Sequence, residues 1–216
     1  RCLRLASALK KRGISNGDCV SIMSPNTPTM LEAHYGVPMS GAVLNSLNFR
    51  LDPATIALIL EHSEAKMLIS DKEFSQVIKE ALTLIKKEIT VIDIDDHQAK
   101  IGELIGEKNY ESLLDEGDLN FQWQPPQDEW QAIALNYTSG TTGDPKGVVY
   151  HHRGAFLNAM SNAMLLKLNQ SSVYLWTLPM FHCNGWTFTW AVTAVGGTHV
   201  CLRQTAAMPT FKAIKE

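Results

Sequence analysis

Short runs rich in β-branched residues alternate with amphipathic stretches along almost the whole chain of 216 residues. This alternation constrains the fold more than any other feature. Strands so spaced leave enough chain for a helical crossover, and crossovers make neighbouring strands parallel. The strand-like runs are 19–23, 42–47, 66–70, 90–94, 135–138, 147–150, 173–178 and 199–202. Asp52 followed by Pro53 reads as a helix N-cap with a first-turn proline, and Ile56, Ile59 and Leu60 supply that helix with an apolar face. Residues 74–87 and 154–168 read as further helices. The expected class is α/β, with layered, mostly parallel sheets and flanking helices.

One stretch, 121–130 (FQWQPPQDEW), breaks every periodicity, and Pro125 and Pro126 favour an extended connector. It separates 1–120, read as a first α/β subdomain, from 131–216, the start of a second; a long surface loop is the other reading. Composition removes several classes. At 45% apolar residues with charges of both signs, the chain is globular rather than fibrous or disordered. Its 19 basic and 22 acidic residues leave a net charge of -3 and form no basic stripe, so nucleic acid is not an expected partner. The cysteines, Cys2, Cys19, Cys183 and Cys201, are far apart and lack C-x-x-C spacing, which fits reduced thiols in an intracellular compartment.

No apolar run approaches the roughly 20 residues that cross a bilayer. The longest candidate, 186–195, is closed by Gly196 and Gly197. The chain opens on Arg1, and residues 2–11 already carry helical spacing, so it is expected to begin inside a longer protein. Targeting signals then lie outside it, which leaves cytoplasm and peroxisome both open, as well as the oligomeric state.

Residues 135–150 read LNYTSGTTGDPKGVVY, in which an apolar strand, a nine-residue polar loop and a second apolar strand follow one another. Gly140 and Gly143 let backbone N–H groups approach a phosphate with no Cβ in the way. Thr138, Ser139, Thr141 and Thr142 add hydroxyls, and Lys146 adds a positive charge. Between two buried strands, such a loop is expected to cradle a polyanion. It is not a Walker A motif, because Pro145 stands where glycine is needed and Gly147 where a hydroxyl is needed.

The stretch TSGTTGDPKG closely resembles the signature of the acyl-adenylate-forming superfamily, and the segments 47–71 and 178–186 (LPMFHCNGW) resemble family segments in the expected order. The resemblance covers nearly the whole chain and is strongest to plant-type AMP-forming acyl-CoA synthetases. It implies that the chain is part of a truncated large N-terminal domain. It also implies that Thr138, Ser139, Gly140, Thr141, Thr142, Gly143 and Lys146 hold the β- and γ-phosphates of ATP. Mg²⁺ is implied with ATP, with Thr142 as a candidate contact and the main carboxylate ligand beyond Glu216, and CoA is implied as the second substrate.

By the same resemblance, His182 lies beside the acyl group and nucleotide as a catalytic and substrate-binding candidate, and Asn184 lines the acyl pocket. Amino-acid-activating relatives carry an aspartate after the corresponding phenylalanine; here His182 follows Phe181, which favours an uncharged fatty or aryl acid. Two other readings stay open: a different adenylate-forming enzyme that uses a carrier thiol or oxidises its acyl group, and a nucleotide-binding module without catalysis. Among the remaining features, His151 and His152 read as a helix entry rather than metal ligands, Asp93, Asp95 and Asp96 as a solvated turn, and Cys183 as a packing thiol.

Overall fold

A computed structural model of the chain describes residues 1–138 and 145–215. In order, the elements are α1 (Cys2–Lys11), β1 (Cys19–Met23), α2 (Pro28–Met39), β2 (Val43–Ser46), α3 (Pro53–His62), β3 (Met67–Asp71), α4 (Ser75–Leu84) and β4 (Thr90–Ile94). There follow β5 (Lys108–Asn109), α5 (Tyr110–Asp115), β6 (Ala132–Thr138), β7 (Lys146–His151), α6 (His152–Leu165) and β8 (Val173–Leu175). The last are α7 (Cys183–Trp186), α8 (Phe188–Ala194), β9 (Thr198–Val200) and α9 (Ala207–Lys215). A seven-stranded sheet has the order β5-β4-β3-β1-β2-β6-β7, and β8 and β9 pair as a second, parallel sheet. Every pair in the large sheet is parallel except β6 with β7.

The strand alternation sorts side chains between two helical layers. Val20 and Ile22 of β1 face one core with Leu5, Leu9, Met30, Val37 and Leu113 from α1, α2 and α5. Cys19 and Met23 face the other with Ile56, Leu60, Ile78 and Ala81 from α3 and α4. Where α1 meets α2, a Cβ on Gly36 would lie 2.5 Å from Leu5 Cδ2, so only glycine permits this approach. Helix starts follow local chemistry. Thr55 N donates to the Asp52 carboxylate at 3.1 Å, with Pro53 in the first turn, as the sequence predicts. Gly154 N donates to His151 Nδ1 at 2.8 Å, so His151 is indeed a helix entry.

Three expectations are corrected. The polar loop does not lie between two buried strands: β7 is the sheet's edge, paired only with β6, and Val149 is 60% exposed. The strand expected over 173–178 ends at Leu175: Trp176 N still reaches Val200 O of β9, but the carbonyls of Trp176 and Leu178 are taken by a side chain, Asn26, rather than by a neighbouring strand. Of the aspartates at the end of β4, read as a solvated turn, only Asp95 is exposed, paired with Lys72. Asp93 is buried and accepts from Gly106 N, while Asp96 accepts from Arg203, which arrives from beyond β9. Arg203 also bonds Asp71 with both Nη atoms and reaches Glu73, so one nearly buried guanidinium fastens the chain after β9 to the ends of β3 and β4.

Connector 121–130 contains neither helix nor strand, and β6 beyond it pairs in parallel with β2. This pairing brings the end of β6 to the same sheet edge as the ends of β1 and β2. The order changes direction at β1, which has β2 on one side and β3 on the other. In open parallel sheets the crevice for a ligand forms at the carboxyl edge beside such a reversal.

Candidate active site

Thr138 ends β6 at that edge and lies opposite Lys146, the first residue of β7, in antiparallel register. Both are exposed, and Lys146 makes no ion pair with the described residues. The edge therefore carries side by side a hydroxyl and a lysine with no ion-pair partner among the described residues, which suits an anionic ligand. Ser139, Gly140, Thr141, Thr142 and Gly143, the remaining candidate phosphate contacts and the candidate Mg²⁺ contact, lie outside the described residues. The stem of β6 is held from below. Tyr137 Oη and His62 Nδ1 share a hydrogen bond of 2.7 Å, and burial pushes the Tyr137 pKa up to about 12.

His182 stands on a second segment, between β8 and α8. Asn26, in the turn after β1, organises the approach to it: its amide donates to Trp176 O at 2.8 Å and Leu178 O at 2.9 Å and accepts from Met180 N at 2.8 Å. A single buried side chain thus satisfies three backbone groups that no strand partner reaches. His182 itself is exposed and directly precedes the turn 183–187 without a side-chain capping bond, with Nε2 3.9 Å from Cys183 Sγ. Cys183, Asn184, Gly185, Trp186 and Thr187 all have positive φ, so this turn needs external support. A Cβ on Gly185 would lie 2.6 Å from Trp176 Cζ3, which makes glycine obligatory there.

Asn184 supplies the support. Its side chain is fully buried and faces inward: Oδ1 accepts from Asn136 Nδ2, while Nδ2 donates to His34 Nε2 at 3.1 Å and lies 3.5 Å from Ser46 Oγ. Ser46 Oγ lies 3.0 Å from Asn136 Oδ1 and 3.3 Å from Phe181 O. His34 donates from Nδ1 to Met30 O at 2.8 Å, which fixes Nε2 as the acceptor. The structure therefore joins the stem of the loop to the His182 segment through four side chains, of which the sequence singled out only Asn184. The polar types of His34, Ser46 and Asn136 within apolar runs were the available signal, but nothing local names their partners.

Burial pushes the His34 pKa down from 6.5 to about 4 against the raising effect of the bond to Met30. A proton lost on folding favours the unfolded state wherever that state binds it, so stability should be full above about pH 6.5 and fall as pH drops toward 4. The expected loss from this group over that interval is about 3 kcal/mol. Urea denaturation at pH 7 and pH 5 checks it: the difference should shrink in His34→Gln, and an undiminished difference would remove His34 as its source.

Beside the turn, Tyr150, Gly154, Ala155, Asn158, Cys183 and Trp186 line a cavity of about 360 Å³. Cys183, expected as a packing thiol, is half-buried and forms part of this wall. Burial raises the Tyr150 pKa to about 12, so the wall presents a neutral phenol. Among the described residues, no three His, Cys, Asp or Glu side chains gather to hold a metal, and no helix is long and apolar enough to cross a membrane.

A family model described as AMP-binding enzyme matches residues 1–216. The chain is 48% identical over 226 residues to an acetate/butyrate–CoA ligase AAE7, peroxisomal, of Arabidopsis thaliana, covering 99% of this chain and 40% of that protein. It is 46% identical over 224 residues to a benzoate–CoA ligase, peroxisomal, of Arabidopsis thaliana, covering 100% of this chain and 39% of that protein. Among solved structures, a long-chain-fatty-acid-CoA ligase from Archaeoglobus fulgidus superposes with a TM-score of 0.85 at 22% identity, over 99% of this chain and 41% of that one. The chain thus spans about 40% of the length of the curated relatives it matches.

Proposed function

Since the chain belongs to the AMP-binding enzyme family, we propose that the whole protein is an AMP-forming acid–CoA ligase. It activates a carboxylic acid with ATP to acyl-AMP and pyrophosphate, and then transfers the acyl group to CoA. The observation that carries this reading is the exposed Thr138–Lys146 pair, at the stem of the signature stretch and at the carboxyl edge of the sheet.

In the first step a carboxylate oxygen attacks the α-phosphorus of ATP; the bond to the bridging oxygen of pyrophosphate breaks and that oxygen takes the electron pair. No general base is needed, because the acid is already anionic near pH 7. The protein contributes position and charge. Lys146, the hydroxyls of Thr138, Ser139, Thr141 and Thr142, and the backbone at Gly140 and Gly143 hold the β- and γ-phosphates and neutralise the departing pyrophosphate. Mg²⁺ bound with ATP would screen the phosphate charge, with Thr142 as the candidate contact in this chain. In the second step the CoA thiol gives up its proton to solvent and its sulfur attacks the acyl carbon; the bond from that carbon to the phosphate oxygen breaks, and AMP leaves with the electron pair. His182 stands between acid and nucleotide, and Asn184 acts on the acid from beneath, by holding the turn that carries His182.

The acid is small or aromatic. This rests on relatives that bear the names of acetate/butyrate and benzoate ligases. Relatives named as peroxisomal support an intracellular compartment. The test is thioester formation by the whole protein across acetate, butyrate, hexanoate, benzoate and cinnamate. In the same assay His182→Ala should reorder kcat/KM among the acids by about tenfold, while the KM for ATP changes less. An unchanged ranking with a raised ATP KM would remove His182 from the acid side.

A further inference from the structure

The buried amides between the two segments occupy a place that packing alone does not require. Asn136 lies two residues before Thr138 on β6, so both side chains leave the same face of one strand. Asn184 lies two residues after His182. The amide of Asn136 donates to Asn184 Oδ1, the single proton of Ser46 Oγ is within reach of Asn136 Oδ1 at 3.0 Å and Phe181 O at 3.3 Å, and the Asn184 amide is completed by His34 Nε2. Asn136 is 8% exposed, Ser46 5%, His34 1% and Asn184 0%, so water is not available to replace a partner that moves.

A displacement of the β6 stem must therefore either carry the His182 turn with it or leave a buried amide unsatisfied. The turn is unusually dependent on this attachment, since its residues hold left-handed backbone conformations. The same connection works in the other direction, from the acid side to the loop stem.

We propose that Asn136 is a positioning residue that couples the two substrate sites, so that ATP and acid bind cooperatively through the Asn136–Asn184 bridge. This rests on the ligase reading above. Coupling of this kind is reciprocal: the factor by which nucleotide tightens acid is the factor by which acid tightens nucleotide. A contact that served stability alone would change folding without changing that factor.

The test uses the whole protein, a non-hydrolysable ATP analogue with a methylene bridge between the α- and β-phosphorus, and the acid that is its best substrate. Calorimetry gives the Kd of the acid with and without the analogue, and their ratio is the coupling factor. The wild-type ratio is expected to be at least about 5. In Asn136→Ala it should fall to near 1, while the Kd of the analogue measured alone shifts less than about threefold. Ser46→Ala, which deletes only a hydroxyl, is made in parallel in case Asn136→Ala does not fold, and should reduce the ratio at least twofold. A ratio near 1 in the wild type, or a wild-type ratio preserved in a folded variant, would overturn the coupling while leaving the ligase reading intact. Failure of the wild type to bind the analogue at all would overturn the ligase reading, and the coupling with it.

Discussion

Lys146→Ala in the whole protein is expected to lower the kcat for acid-dependent pyrophosphate release by about 100-fold, the scale found when one preorganised charge-stabilising group is removed. The side chain is exposed on the first residue of an edge strand and has no ion-pair partner among the described residues, so its removal should leave the melting temperature unchanged. Its charge matters most as pyrophosphate departs, because negative charge accumulates on the leaving oxygen only then. The loss should therefore appear in kcat more than in the KM for ATP. Lys146→Arg keeps the charge but changes its shape and reach, and should recover part of the rate. Pyrophosphate release unchanged in Lys146→Ala would take Lys146 out of the mechanism.

The second large effect concerns folding. Arg203 is 7% exposed and holds Asp71, which is 0% exposed, together with the less buried Glu73 and Asp96. Arg203→Ala would leave the Asp71 carboxylate buried with one backbone hydrogen bond, from Glu73 N, and no cation. Breaking a buried pair in this way costs about 3–5 kcal/mol. Arg203→Lys should recover only part, since an ammonium cannot reproduce the two-pronged bond to Asp71. As a comparison, Lys79→Ala removes a pair with Glu103 in which both side chains are about half exposed, and should cost under about 1 kcal/mol. Urea denaturation of the three variants makes the comparison; a loss in Arg203→Ala no larger than in Lys79→Ala would show that the cluster does not fasten the edge.

These two residues differ in how far the sequence announces them. Lys146 is legible because its loop is chemically odd over a short span: hydroxyls, glycines and a lysine gathered where a hairpin needs only a turn. The α/β alternation is legible for a similar reason, since a crossover leaves a period in the chain, and so are the caps at Asp52 and His151, which act on amides three residues away. Arg203 reads as an ordinary basic residue. Its partner Asp71 lies 132 residues earlier, and no local pattern connects them. For the same reason Asp96 looks like part of a polar turn until the chain after β9 is laid across it.

The candidate site divides along the same line. Its chemistry is written in the phosphate loop and in the run around His182, but its geometry depends on Asn26, 150 residues before Trp176, and on the bridge from Asn136 to Asn184 across 48 residues. Asn26 precedes the helix that starts at Thr27 and Pro28, and nothing local in the sequence points from it to Trp176. The edge position of β7 was also hidden, because Val148 and Val149 carry the composition of a buried strand while lying at the sheet's end.

The most direct test of the central claim is incorporation of labelled pyrophosphate into ATP by the whole protein, with Mg²⁺ present and CoA omitted. Only formation of an acyl-adenylate, and its reversal, makes that exchange depend on a carboxylic acid. The account predicts exchange with at least one short-chain or aryl acid, none without acid, and about 100-fold less in Lys146→Ala. Folded, nucleotide-binding protein that shows no acid-dependent exchange with any of these acids would contradict it.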